Sequence, residues 1–130
     1  MSANKVNIGQ IERKVILEST GALGPGGVLI SDVIPVTGYT HITGFAFSNV
    51  GGAADGIIVE QALQAGDFPG GGPATGLVTR STFTLAANDI VTNNYAIQVV
   101  APFARIIFIN GGVLQTTFRV FFEARILRGL

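Results

Sequence analysis

The sequence contains no cysteine, no tryptophan and a single histidine, His41. Without cysteine the chain forms neither disulfide bonds nor thiolate metal sites. One histidine is too few for the metal centres that combine several imidazole ligands. Eight basic and eight acidic residues balance to a formal charge of zero, and no basic cluster indicates a nucleic-acid partner. These absences argue against disulfide-stabilised, multi-histidine metal and nucleic-acid-binding proteins.

Long hydrophobic runs are also missing, although hydrophobic residues make up 48% of the chain and charged residues only 12%. A membrane-spanning helix needs about 20 consecutive apolar residues. The longest candidate, residues 95–109, is interrupted by Gln98, Pro102 and Arg105. The first residues, "MSANKVNIGQIERK", lack the apolar segment of a signal peptide. We expect synthesis in the cytoplasm, no membrane partner, and burial of the apolar excess in a core and between subunits.

Recognisable catalytic patterns are absent as well. The acidic residues are scattered singly and nominate no glycosidase-type carboxylate pair, and no G-x-S-x-G motif occurs. The glycine clusters lack the strand-to-helix context of a phosphate loop. Oxygen-rich stretches around Asp55, and around Asp89 with Asn93 and Asn94, are the only calcium candidates. The sequence favours a protein that is not an enzyme and that binds no metal or cofactor.

The sequence is rich in short runs of valine, isoleucine, threonine and phenylalanine, separated by glycine and proline. Such runs are typical of β-strands, and no window keeps the apolar period of a helix. We predict an all-β fold, an antiparallel β-sandwich or jelly roll spanning residues 12–130 as one domain. The strands are predicted near residues 13–19, 28–36, 41–50, 56–63, 77–85, 95–100, 103–109 and 113–127.

Two segments fall outside this strand pattern. Residues 1–11 are small and polar apart from Val6, Ile8 and Ile11, too few apolar residues to offset the entropy of ordering the segment alone. They form either a frayed terminus or an extended arm that becomes ordered on a neighbouring chain. Residues 66–76, "GDFPGGGPATG", form the longest irregular stretch, either a surface excursion or a binding loop.

The stretch "ARIIFINGGVLQTTFRVFFEARIL" predicts a C-terminal hairpin around an Asn-Gly-Gly turn. A three-residue loop at 110–112 pairs Ile109 with Val113, whereas a two-residue loop shifts the register by one residue and mixes the two faces. We favour the three-residue loop, because it separates the inward-facing from the outward-facing residues more cleanly. The residues then predicted to share the inward face are Ala104, Ile106, Phe108, Leu114, Thr116, Phe118, Val120, Phe122, Ala124 and Ile126.

The outward face of this hairpin would carry four apolar residues, Ile107, Ile109, Val113 and Phe121. A continuous patch of that size is more than a monomer normally exposes to water. We expect the arm or another subunit to cover it, the alternative being a strand or loop of the same chain. The charged residues of the same strand, such as Arg119 and Glu123, need partners from an adjacent strand or another chain.

Three segments resemble small virion proteins of tailed bacteriophages: "TGYTHITGFAFSN", "GIIVEQ" and "VVAPFARIIFINGGVLQTTFRVFFEARIL". The matching features are a Val-Glu-Gln strand at 57–61, an Ala-Pro-aromatic step at 101–103, an Asn-Gly turn at 110–111 and a Gln-Thr-x-Phe-Arg strand at 115–119. The similarity covers roughly residues 37–127. The sequence departs from this pattern after Gln61, where "ALQAGDFPGGGPATG" replaces the expected Ser and Asp-Gly turn.

The resemblance implies a β-sandwich on the outside of a phage head, a capsid decoration or cement protein with no catalytic residues. Its partners would be further copies of itself, as a trimer, and the major capsid protein. The interface with these partners is predicted at Val6, Ile8, Ile11, Ile107, Ile109, Val113, Arg119, Phe121, Glu123 and Arg125. A head–tail or tail component of six or twelve copies, and a soluble carbohydrate- or receptor-binding module, remain the alternatives.

Overall fold

The computed structural model describes residues 13–68 and 76–126. The predicted arm with Val6, Ile8 and Ile11, and most of the 66–76 loop, lie outside the described residues. The described strands are β1 Arg13–Ser19, β2 Val28–Ile30, β3 Ile34–Pro35, β4 His41–Ser48, β5 Gly52–Ala62, β6 Leu77–Phe83, β7 Asn94–Gln98, β8 Phe103–Asn110 and β9 Phe118–Arg125. A short 3₁₀ turn, Ala65–Asp67, follows β5. In these two ranges we find no helix that is long and apolar enough to cross a membrane.

The strands form two antiparallel sheets packed face to face. Sheet A has the order β1-β9-β4-β7, and sheet B has the order β2-β8-β5-β6, with β3 also paired to β8. The predicted all-β sandwich is confirmed. The predicted 28–36 strand is divided into β2 and β3. Between them the Ser31 N–H still donates to the Ile106 carbonyl at 2.9 Å, but the Ser31 Oγ accepts the Ile106 N–H at 2.9 Å and donates to the Asp32 carbonyl at 2.8 Å.

The predicted C-terminal hairpin is wrong. β8 pairs with β2, β3 and β5 in sheet B, whereas β9 pairs with β1 and β4 in sheet A. Residues 111–117 therefore carry the chain from one sheet to the other, and Ile109 does not pair with Val113. The expected turn is replaced by tertiary hydrogen bonds: Gln115 Oε1 accepts the Leu23 N–H at 2.8 Å, and Asn110 Nδ2 donates to the Gly24 carbonyl at 2.8 Å.

The inward faces predicted for the last two strands are nevertheless correct for all but three residues, of which Leu114 and Thr116 are exposed in the 111–117 connection. The β8 and β9 side chains meet across the sandwich instead of side by side, and the Phe108 and Phe118 ring centroids lie 4.9 Å apart. Ile126 is only half-buried. The buried core comprises Ile16, Leu17, Val36, Ile42, Ala46, Ile57, Val59, Leu85, Ala104, Ile106, Phe108, Phe118, Val120, Phe122 and Ala124.

The two sheets leave no room for a side chain at Gly44 on β4. A Cβ there would lie 2.3 Å from the Phe121 carbonyl oxygen and 2.5 Å from the Phe122 ring. Gly44 pairs with Phe122 on one side and with Tyr95 on the other. These two rings stack across the glycine with centroids 6.0 Å apart and planes 18° apart. The glycine therefore sets the close approach of three strands at the centre of sheet A.

Candidate functional site

Four of the predicted interface residues, Arg119, Phe121, Glu123 and Arg125, lie together on the outer face of sheet A. They alternate along β9 with the buried residues of the core, because successive side chains of a strand point to opposite faces. Their neighbours on that face come from β1 and β4, so the last strand is the centre of this surface and not its margin.

One end of this face is charged. Glu123 is only 7% exposed. Its carboxylate lies 3.0 Å from Arg13 Nε on β1 and 3.6 Å from Arg125 Nε. Glu123 therefore has its partners on the adjacent strand and on its own strand, which was one of the two expectations. Both arginines remain largely exposed, so each contact contributes about 0 to 1 kcal/mol to stability.

The other end of the face is aromatic. Phe121 of β9 lies opposite Phe45 of β4, with ring centroids 6.2 Å apart, and Arg119 lies opposite Phe47. Two adjoining hollows of about 270 and 350 Å³ share Phe45 and Arg119. We call this surface the aromatic groove; its defining residues are Glu18, Phe45, Phe47, Ile90, Arg119 and Phe121.

The aromatic groove also holds two charges that form no ion pair within the described ranges. The ion pairs there join Arg13 and Arg125 to Glu123, and Arg80 and Arg105 to Glu60. Arg119 is thus the one described arginine outside an ion pair. Glu18, across the groove on β1, has no ion pair either, and both side chains are exposed. The groove combines three phenylalanines with one available cation and one available anion.

The predicted continuous patch of Ile107, Ile109, Val113 and Phe121 does not exist, because its basis was the hairpin. Ile107 and Ile109 lie on the outer face of sheet B, on the opposite side of the molecule from Phe121. Val113 lies in the 111–117 connection and is 60% exposed. These predicted interface residues therefore lie on different surfaces of the molecule.

Sequence reasoning missed a charged row on sheet B in which two of the three residues are buried. Arg105, Glu60 and Arg80 lie side by side on β8, β5 and β6, on the face away from the core. Arg105 Nη2 and Nε donate to the same Glu60 oxygen at 2.6 and 3.0 Å, and Arg80 Nε lies 3.6 Å from the other oxygen. Glu60 is 2% exposed and Arg105 6%. The available signal was one charged residue inside each of two apolar runs, "GIIVEQ" and "ARIIFI".

The ring of Phe68, just after the 3₁₀ turn, helps to cover this row. It is buried, and its centroid lies 5.4 Å from the Arg105 guanidinium carbon, within the range of a cation–π contact. The second face of the apolar β8 run is thus partly covered by the same chain, which was the alternative to the arm or another subunit.

The oxygen-rich stretches hold their side chains in internal hydrogen bonds. Asp89 accepts the Thr92 hydroxyl at 2.5 Å and the Thr92 N–H at 3.1 Å, and these bonds lower the pKa of Asp89 from its ordinary value. Asn93 is buried, donates to the Ala86 and Asp89 carbonyls, and its Oδ1 accepts the Ala86 N–H. In the two described ranges we find no group of three or more His, Cys, Asp or Glu able to hold a metal ion.

No protein-family model, curated protein or solved structure matches the chain. What the aromatic groove offers chemically is apolar contact area with a cation and an anion at its margin, a composition suited to binding protein.

Proposed function

We propose that this protein is a virion structural protein, a capsid decoration protein that self-associates and binds the outside of a phage head. The observation that carries the proposal is the aromatic groove. Half-buried phenylalanines around an exposed arginine with no ion pair among the described residues have the composition of interface hot spots, which are enriched in aromatic residues and arginine.

The mechanism would be burial of apolar area, not chemistry. Each square ångström of apolar surface removed from water contributes about 25 cal/mol, and a standard-size interface buries about 1,600 Å² in total. A head presents many identical sites, so linked copies bind with an avidity well above that of one contact. The sandwich has two opposed outer faces, which allows contact with another copy and with the major capsid protein at once.

The sheet B face supports the second of these contacts. Val28 and Ile30 of β2 are about half exposed and lie beside Ile109 and Ile107. Together they form an apolar strip next to the charged row. Two of these four residues, Ile107 and Ile109, were predicted interface residues. The strip is a candidate for the capsid-facing surface.

The proposal is tested on purified particles of the phage that encodes the chain. We expect quantitative mass spectrometry to find it in a fixed ratio to the major capsid protein, and immunogold labelling to locate it on the head exterior. Heads stripped of the protein should rupture at a lower temperature and recover when it is added back. Labelling of tails, or six or twelve copies per particle, would instead favour a head–tail or tail component.

The arm gives a second test of the same proposal. We expect deletion of residues 2–11 to lower occupancy on heads while leaving the thermal midpoint of the sandwich unchanged, because the apolar anchors would act on a neighbouring chain. Serine at Val6, Ile8 and Ile11 should reproduce the deletion. Serine at the polar positions Asn4, Asn7 and Gln10 is the matched control. Unchanged occupancy after deletion would contradict the arm's role.

A further inference from the structure

We propose that the aromatic groove binds a second copy of this chain about a two-fold axis, with Glu18 of each copy against Arg119 of the other. This inference rests on the proposed function, of which self-association is a part, and it names the surface and the symmetry. The partner is identified by charge complementarity: the groove presents one cation and one anion, neither in an ion pair among the described residues.

The two charges are arranged so that the surface is complementary to itself. Glu18 lies on β1 opposite Phe121 of β9, and Arg119 lies one outward position further along β9. A two-fold contact uses the same patch on both copies, so each residue pair occurs twice. An axis in the plane of the face that exchanges Glu18 and Arg119 therefore creates two Glu–Arg contacts and brings no like charges of this pair together.

The positions of the phenylalanines agree with the same axis. With strands about 4.8 Å apart and same-face residues about 6.8 Å apart, the axis that exchanges Glu18 and Arg119 passes within about 2 Å of the Phe121 and Phe45 positions. Each of these residues then faces its own counterpart. The same operation carries Phe47 to within about 3 Å of the Val15 position on the other copy. Val15 is exposed, so the contact pairs apolar side chains.

The face is large enough for such a contact. Four strands at about 4.8 Å spacing and about 25 Å of strand length give roughly 500 Å² in projection, and the corrugated accessible area is larger. A standard-size interface buries about 800 Å² per partner. The groove and its surrounding residues therefore account for an interface near the lower end of the stable range, which suits assembly at micromolar concentration.

The test is charge reversal followed by native mass spectrometry and sedimentation of the full chain at micromolar concentration. We expect Glu18→Arg and Arg119→Glu each to raise the dissociation constant of the two-fold contact at least about tenfold, since each change places like charges together twice. The double variant exchanges the two charges. Its dissociation constant should return to within about threefold of that of the original protein. Restoration by the second change separates a direct contact from a folding defect.

Lys14→Glu and Asp32→Arg are the matched controls, because they make the same charge changes at exposed positions outside the groove. We expect neither to change the constant. We also expect an even number of copies, two, or six where the trimer implied by the resemblance forms through other surfaces. A monomer, an isolated trimer insensitive to both reversals, or a double variant as weak as the single ones would overturn the proposal.

Head occupancy distinguishes failure of this inference from failure of the proposed function. If the protein decorates heads but its self-association is unchanged by the substitutions at Glu18 and Arg119, the two-fold contact is overturned. The decoration role is then left intact. The opposite result is also possible to recognise. If the two-fold contact is lost on either reversal and regained in the double variant, the contact is supported. If the same protein is absent from virions, the decoration role is contradicted.

Discussion

Gly44 is a residue at which the packing of sheet A leaves no room for a side chain. Its missing side chain lets Phe122 and Tyr95 stack across β4, and a methyl group would meet both a ring and a carbonyl oxygen. The stack belongs to the inner face of the sheet that carries the aromatic groove on its outer face. Disturbing it would therefore shift the strands that position Phe45 and Phe121.

We expect Gly44→Ala to lower the free energy of unfolding by about 1 to 3 kcal/mol, the usual cost of overpacking a filled core. Urea denaturation followed by far-UV circular dichroism measures it. Gly24→Ala is the matched control, because a Cβ there has no neighbour within 4 Å. The control should be neutral or stabilising by about 0.4 to 1 kcal/mol through the unfolded chain. Equal effects of the two substitutions would contradict the packing argument.

Individual contacts of this kind are poorly visible in the sequence. A glycine inside a strand pattern is compatible with a bulge, a bend or a close approach, and only the neighbouring strands decide among them. The inward alternation of β9 was readable, since its period of two is local to the strand. The neighbours of Glu123 and Arg119 on the adjacent strands could not be predicted, because β1 and β4 lie far from β9 in the sequence.

Among the elements, strands β5 and β8 are joined by a charged pair inside otherwise apolar runs. Arg105 and Glu60 face each other in register, away from the core, with Phe68 over the guanidinium. Two hydrogen bonds reach one carboxylate oxygen, so the pair is geometrically well formed. Removing one partner leaves the other charge in a place that is closed to water.

We expect Glu60→Gln to lower the free energy of unfolding by about 3 to 5 kcal/mol, the cost of breaking a buried pair. Replacing both partners, Glu60→Leu with Arg105→Met, should recover most of that loss, because the buried charges are then absent. Chemical denaturation of the three proteins measures both effects. A double variant no more stable than Glu60→Gln would contradict the account of the row as a buried ion pair.

The strands themselves could largely be predicted from the sequence, whereas their pairing could not. Strand β1 coincides with the prediction, and β4, β6, β7 and β8 differ from it by one or two residues at one or both ends. The connection after β8 was read as a turn because Asn-Gly-Gly is a common hairpin signal. Hydrogen bonds across 92 and 87 positions decide otherwise, since the Gln115 and Asn110 side chains bind the Leu23 backbone. The local sequence pattern does not indicate these long-range hydrogen bonds.

At the scale of the whole molecule, two titrating groups limit stability at the extremes of pH. Hydrogen bonds from Thr92 lower the pKa of Asp89 below 3.8. Burial, with a smaller contribution from the Asp89 charge, raises the pKa of Tyr95 above 10.0. The folded protein therefore holds fewer protons than the unfolded chain near pH 4 and more protons above pH 10.

We expect the free energy of unfolding to fall as pH decreases through the lowered pKa of Asp89, and to fall as pH rises from about 10 through the raised pKa of Tyr95. Between these limits both contributions are fully present. Urea denaturation across pH measures the profile. Asp89→Asn should flatten the acid side and Tyr95→Phe the alkaline side. If neither substitution changes the decrease in the free energy of unfolding at acid or alkaline pH, the assignment of these decreases to Asp89 and Tyr95 is contradicted.

The position of β9 between β1 and β4 has a consequence for biosynthesis. Sheet A cannot be assembled in native order until its last-made strand exists, because that strand separates the first strand from the fourth. A nascent chain that ends at residue 110 would hold β1 and the β4–β7 pair without the strand that joins them. Folding of sheet A therefore waits for the synthesis of β9, and long-range strand pairing of this kind is intrinsically slow. The interval before that last strand is made is when the apolar strands are most exposed to aggregation.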